Sequence, residues 1–277
     1  MEYARPEAGE SILPISHFRG RSESPVVETF EWILRNHSPA DPFALVLDVG
    51  ANTGFFSSLA GLLGYRVVAF EPQPGCIPWI ALNARRNKVA NRVCVVNAGA
   101  GSTPGVISVD PKGCNAGFIT ADQINNRVAT ARVEDKVTPK QSVEITVKSP
   151  AAFLSAKQIA PIVKIDTEGA EIGVLESLDV ALRERRVRNL LVELAPHVWS
   201  SLLDGYTVLR RIIFDYGFCL KALDDGESHS AKVIGGSPFG DNLAHLKWYD
   251  VPALLPYLQQ LAQEGHGDNV LLTLDFM

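Results

Sequence analysis

The chain has 277 residues, 46% hydrophobic and 21% charged, which is enough apolar material to bury a full core in one elaborated domain. Its formal net charge of -5 and pI near 5.7 exclude a protein that grips a nucleic-acid backbone over a wide basic face. No apolar run is long enough to cross a bilayer and the N-terminus lacks a signal-peptide stretch, so a soluble cytoplasmic protein is expected.

Residues 1–23 are polar, carry Pro6 and Pro14 and show no period, which reads as a loose arm or lid. Ser24-Pro25 opens a helix, with a capping hydroxyl and then proline at the first helical position. Val26, Val27, Phe30, Ile33 and Leu34 share one face of that helix over 25–36, which should lie against a sheet. Residues 1–40 are therefore read as arm and helix, and 41–277 as the main domain. Ala44 to Val49 is a short run of β-formers that reads as a strand buried on both faces. Gly50 and Gly54 follow with small residues between them, and then an apolar helix from Phe55. A strand, a glycine turn and a helix form the opening unit of a nucleotide-binding α/β domain, in which the helix N-terminus faces the ligand.

Arg66 to Phe70 reads as the second buried strand and ends in Glu71. An acid at that place accepts hydrogen bonds from ribose hydroxyls in such sheets. A helix over 76–87 and a third strand over 92–97 follow, with Asn97 where a base ring would be edged. The α/β rhythm then falters over an insertion at about 104–147. Residues 106–109 and 143–147 look like strands, and the Gly-, Asn-, Asp- and Lys-rich stretch 111–140 between them reads as part of a cap over the cleft.

A short helix near 150–158 leads to a fourth strand at 162–165, inside which Lys164 is out of place. A lysine in a buried strand must pair with a carboxylate or reach a cleft, and Asp166, Glu168 and Glu171 are the available partners. Residues 169–182 read as helix and 188–194 as a fifth strand carrying a second misplaced charge, Glu193. Charged groups at the carboxyl ends of neighbouring strands mark the place where open α/β sheets put chemistry; the plainer alternative is a structural Lys164–Glu193 pair. A helix at 199–214, a strand at 218–223, a polar loop at 224–240, a helix at 252–264 and a last strand at 269–274 complete the chain. The four cysteines show no CxxC spacing and read as free buried thiols in a reducing compartment.

The turn discriminates between ligands. A nicotinamide enzyme would show three glycines in Gly-x-Gly-x-x-Gly, and a Walker loop would continue into Gly-Lys-Ser/Thr; Asp48-Val-Gly-Ala-Asn-Thr-Gly54 does neither. Its leading carboxylate would repel a pyrophosphate and suits a ligand carrying an ammonium and a sulfonium. S-adenosyl-L-methionine is such a ligand, and the turn favours a methyl donor.

Val46-Leu-Asp-Val-Gly-Ala-Asn-Thr-Gly-Phe-Phe56, Ala69-Phe-Glu-Pro72, Val163-Lys-Ile-Asp-Thr-Glu-Gly-Ala-Glu171 and Leu191-Val-Glu193 together resemble the FkbM-type methyltransferase family. The resemblance runs in order from about residue 44 to 197. It implies a class I methyltransferase: a Rossmann-like, doubly wound, seven-stranded α/β sheet whose last strand inserts antiparallel, with a helical arm and a cap-like insertion. It also implies methylation of an oxygen on a small molecule, sugar, natural product or lipid-linked glycan. By motif, Asp48, Gly50, Asn52 and Gly54 would line the donor, Glu71 would hold its ribose, and Asp166 and Glu168 would sit beside the methyl. Family members often carry a histidine two residues after the fifth-strand glutamate; here that place is Ala195, and His197 beyond Pro196 is the nearest histidine.

The expected reaction is in-line methyl transfer in a closed, dry cleft. Asp166, Glu168 or His197 would take the acceptor's proton, and Lys164 would orient or tune the acids. Asp166 and Glu193 could instead hold Mg²⁺, but no third oxygen ligand is evident and no metal is expected. No nucleic acid is expected as partner, and the reading leaves room for a homodimer. The competing classes are a nicotinamide oxidoreductase and a non-catalytic S-adenosylmethionine-binding protein.

Overall fold

The apolar runs become neighbours in a single sheet because each is too short for a helix and too apolar for a surface. The computed structural model describes residues 24–38, 41–111, 113–114, 142–223, 248–250 and 253–274. The arm at 1–23, most of 111–140 and the loop at 224–240 lie outside them.

After helix α1 (Ser24–Asn36), strands β1 (Leu45–Val49), β2 (Arg66–Phe70) and β3 (Val93–Val96) alternate with helices α2 (Phe55–Leu62) and α3 (Ile77–Arg86). Then come β4 (Gly99–Ala100), β5 (Gly105–Val109), β6 (Val143–Lys148) and a 3₁₀ turn at Pro150–Phe153. The second half runs β7 (Val163–Ile165), α4 (Glu171–Ser177), α5 (Asp179–Arg183), β8 (Asn189–Leu194) and a 3₁₀ turn at Pro196–Val198. It ends α6 (Leu202–Arg210), β9 (Cys219–Leu223), β10 (Trp248–Asp250), α7 (Leu254–Glu264) and β11 (Asp268–Thr273).

The main sheet has the order β10-β9-β11-β8-β7-β1-β2-β3. Strands β3, β2, β1, β7 and β8 are mutually parallel. β11 runs antiparallel between β8 and β9. The reversed last strand was expected; β10, an antiparallel eighth strand on the outer edge of β9, was not. Expected strands at 106–109 and 143–147 are present as β5 and β6, in a separate three-stranded sheet where β6 lies between β4 and β5.

Side chains alternate along β1 as a strand buried on both faces requires. Leu45, Leu47 and Val49 enter a core with Val174, Leu175, Leu209 and Leu258 from α4, α6 and α7. Ala44 and Val46 face a second core with Phe30 and Leu34 of α1 and Phe56 and Leu59 of α2. The face of α1 read from its spacing is the buried one, and Tyr65 fastens it by donating to the Leu34 carbonyl at 2.7 Å.

Three expectations change. The helix expected near 150–158 is only a 3₁₀ turn at Pro150–Phe153. The helix expected at 169–182 is two short helices, α4 and α5, that meet at Leu178. The cysteines are not all buried thiols: Cys76 and Cys114 form a disulfide, and Cys94 and Cys219 are exposed and not disulfide-bonded. The sequence concealed the pair because its members are 38 residues apart and meet only through the fold. No helix among the described residues is long and apolar enough to cross a membrane.

Candidate active site

The glycine turn after β1 is shaped by close approach. Gly50 has φ +81°, and a Cβ there would lie 1.7 Å from the Asp166 carbonyl oxygen. Gly54, at φ +82°, caps α2 in the left-handed conformation, and its Cβ would come within 2.9 Å of Ile80 on α3. Both positions therefore require glycine.

The turn's amides are largely committed within the protein. The N–H groups of Gly50 and Ala51 donate to the Phe70 carbonyl at 3.0 and 2.9 Å. That of Asn52 donates to Glu71 Oε2 at 2.8 Å, and that of Gly54 to the Ala51 carbonyl at 2.8 Å. A phosphate cradle needs free amides in such a turn. Four of these are already spent.

Glu71 sits at the end of β2, and its other oxygen accepts from the Gln73 N–H at 2.8 Å. The carboxyl is buried, and burial raises its pKa against the lowering effect of the two amides and of Lys164. Exposed Asn97, just past β3, donates through Nδ2 to the Glu71 and Pro72 carbonyls at 2.8 and 3.0 Å. Asn83 of α3, a residue that the sequence reading passed over, donates to the Thr53 carbonyl at 2.7 Å.

Asp48 lies under the turn with no exposed surface, and accepts from Ser57 at 2.5 Å. Burial raises its pKa, opposed by Lys164 and by the Ser57 hydroxyl. Lys164 reaches across from β7, with Nζ 2.9 Å from Asp166 Oδ2 and 3.9 Å from Asp48 Oδ1. It also donates to the Gly50 carbonyl at 3.3 Å and lies 4.9 Å from the centre of the Phe56 ring. Its close carboxylates are thus Asp166 and Asp48, and Glu193 is a weaker electrostatic neighbour.

Asp166, Glu168 and Glu193 come together at the ends of β7 and β8, each with a carboxylate oxygen within 4.8 Å of the others. Glu168 is the third oxygen donor that spacing alone had not revealed. Its backbone is in the left-handed region at φ +54°, a strained state for a non-glycine residue that occurs at functional sites. Such a trio can bind a divalent cation or hold a proton between acids. Here Lys164 Nζ already pairs with Asp166 Oδ2 at 2.9 Å.

Burial pushes Asp166 up, but Lys164 and a hydrogen bond from Glu193 outweigh it and hold the group below its usual range. Burial pushes Glu193 up to about 9, reinforced by the Asp166 charge and the same hydrogen bond. Glu168 is raised by burial and then by the charges of Asp166 and Glu171. Of the two, Glu193 is therefore the group that favours its proton and Asp166 the one that favours its charge.

Glu171 is buried and organises the loop that carries these acids. Its Oε1 accepts from Thr167 Oγ1 at 2.9 Å and the Gly169 N–H at 2.8 Å, and its Oε2 accepts from Trp199 Nε1 at 2.7 Å. The sequence offered it only as a partner for Lys164. His197 Nδ1 lies 3.2 Å from the His266 carbonyl oxygen. The backbone at Gly267 packs against Glu193, where an added Cβ would approach Oε1 to 3.0 Å.

A parallel sheet whose last strand inserts reversed between its fifth and sixth, with an acid-lined glycine turn at its centre, defines the class I methyltransferase fold. The family model of the methyltransferase FkbM domain matches residues 48–218, and the chain belongs to that family. It is 27% identical over 201 residues to methyltransferase sdnD of Sordaria araneosa, a match covering 62% of this chain and 76% of that protein. Among solved structures it resembles the FkbM methyltransferase of Methylobacillus flagellatus KT at 21% identity and a TM-score of 0.43. That match covers 71% of this chain and 46% of the other, so the chain spans about half its length. The precorrin-6y C5,15-methyltransferase of Geobacter metallireducens GS-15 is similar at 12% identity and a TM-score of 0.40, over 91% of this chain and 88% of that one.

Proposed function

We propose that the protein is an S-adenosylmethionine-dependent methyltransferase that methylates an oxygen of a small-molecule, sugar or natural-product acceptor. The observation that carries this reading is the contact between the two motifs. The turn at Gly50 abuts the backbone of Asp166, so a ligand on the turn meets the acid trio. The committed amides of the turn support a donor without phosphates, and the negative trio suits a sulfonium.

In this reading Gly50, Asn52 and Gly54 shape the donor pocket from the turn. Asp48 supports it from beneath through Ser57 and Lys164, Glu71 takes the ribose hydroxyls, and Asn97 stands beside the base. Bound S-adenosylmethionine would supply an electrophilic methyl carbon and a neutral thioether leaving group. Alignment of acceptor oxygen, carbon and sulfur is the main contribution of the cleft. Asp166, kept ionised by Lys164, attracts and orients the positively charged donor.

Glu168 is the better proton acceptor, because its pKa is raised where that of Asp166 is lowered. It takes the acceptor hydroxyl's proton as the C–O bond forms. His197 is the second candidate for that proton. The methyltransferase domain is taken as 41–277.

The test is thermal unfolding with S-adenosylmethionine, S-adenosylhomocysteine and NAD in parallel. A ligand at about 100 times its dissociation constant stabilises the native state by roughly 2.7 kcal/mol, a shift of a few degrees. A rise with the first two and none with NAD is expected. A rise with NAD alone would replace this reading with an oxidoreductase.

A further inference from the structure

The disulfide lies against the turn that shapes the proposed donor pocket. Cys76, fully buried, is the residue from which α3 starts; Cys114 lies beyond β5 and is partly exposed. The Cys114 sulfur is 3.6 Å from Asn52 Oδ1 and the Cys76 sulfur 4.0 Å. The backbone of Asn52, in the left-handed region at φ +50°, donates to Glu71 Oε2, and Gln73, on the short path from Glu71 to Cys76, donates to Oε1. Gly113, next to Cys114, packs against Gln73, where an added Cβ would lie 3.4 Å from Oε1. One covalent bond therefore fastens the chain after β5 to Cys76, close in the chain to Gln73, and sets its sulfurs against the Asn52 side chain. No other covalent link crosses this part of the described structure.

We propose that Cys76–Cys114 is a reversible thiol–disulfide site that sets donor affinity: the oxidised form holds Asn52 and Glu71 in their donor-binding arrangement, and reduction weakens binding. The proposal rests on the S-adenosylmethionine reading above. The reductant is a dithiol, either a small molecule or a protein. Its thiolate attacks the accessible Cys114 sulfur, the S–S bond breaks and Cys76 leaves as thiolate. The reductant's second thiol then releases Cys114. Two electrons and two protons end on the protein as two thiols, and the reductant leaves as its disulfide. Without the cross-link, the segment at Cys114 regains chain entropy and the Asn52 side chain loses its sulfur wall.

The test titrates the full chain with S-adenosylhomocysteine by calorimetry after mild oxidation and again in dithiothreitol, while thiols are counted after denaturation. The chain has four cysteines, so the count should rise from two to four on reduction. Affinity should fall at least tenfold and return on reoxidation. Cys76→Ser/Cys114→Ser should bind weakly with or without dithiothreitol, whereas Cys94→Ser/Cys219→Ser should keep the full response. Four thiols after mild oxidation, or equal affinity in the two states with the count changing from two to four, would overturn the site. Absence of binding in both states with that same change would overturn the donor reading, and the regulation with it.

Discussion

The Cα of Gly50 faces the carbonyl oxygen of Asp166 so closely that an ideal Cβ would stand 1.7 Å from it. Two motifs far apart in the chain thereby share one wall. Gly50→Ala is expected to destabilise the protein by more than about 1 kcal/mol, from the positive φ and the clash together. It should also abolish S-adenosylhomocysteine binding, as read by thermal unfolding and calorimetry. Retained binding would mean that the turn is not the donor wall.

Glu71 combines a structural duty with its proposed ligand role. In Glu71→Ala, the N–H groups of Asn52 and Gln73 lose their acceptor, at about 1–3 kcal/mol for each that stays buried and unpaired. Donor affinity should drop at least tenfold as well. Glu71→Gln separates the two effects: its amide oxygen can serve one N–H but not both. Donor affinity unchanged in both variants would remove the ribose assignment.

Lys164 is the shared cation of Asp48 and Asp166. Lys164→Met should cost roughly 3 kcal/mol, the lower end for breaking a buried pair, since the Asp166 side chain is 38% exposed. Adding Asp48→Asn should restore part of that loss by removing the carboxylate left without a cation. Denaturant unfolding of the two variants measures the recovery, and its absence would show that Asp48 does not depend on Lys164.

Glu193 gives the protein a defined pH response. Its folded pKa, about 9, is above the ordinary 4.5, so the folded state holds this proton more tightly than the unfolded chain does. The associated stability is fully present below 4.5 and is lost as pH rises through about 9. Glu193→Gln keeps a neutral donor facing Asp166. Its melting temperature should therefore decline less than that of the wild type over this range. Parallel pH profiles for the two proteins would contradict a Glu193 that favours its proton.

Glu171 should prove as important to the acid loop as the acids themselves. In Glu171→Gln, one amide N–H must oppose either the Gly169 N–H or Trp199 Nε1. A loss of about 1–3 kcal/mol is expected. Trp199→Phe removes one of the three donors, so the double variant should lose less than the sum of the singles, measured as a thermodynamic cycle. Strict additivity would show that the contacts act independently.

Much of the fold could be read from the sequence because short apolar runs between turn residues have few ways to be buried. Period and length alone located β1, β2, β7, β8 and the inner face of α1. Breaks inside helices were harder to read, since Leu178 fits a helical pattern and only its local backbone divides α4 from α5. The edge strand β10 carries little signal for the same reason: its partner is chosen by the sheet.

For the site, residue types at strand ends determined which side chains are candidates: Asp48, Gly50, Gly54, Glu71, Lys164, Asp166 and Glu168. The tertiary structure decided what each one faces. It gave Lys164 to Asp166 and Asp48, supplied Glu168 as the third member of the acid trio, and turned His197 toward His266. It also joined Cys76 to Cys114. Local pattern fixes element type because burial and backbone hydrogen bonding act over a few residues. Charge pairing and cross-linking depend on distances between segments remote in sequence, and those distances exist only once the sheet has formed.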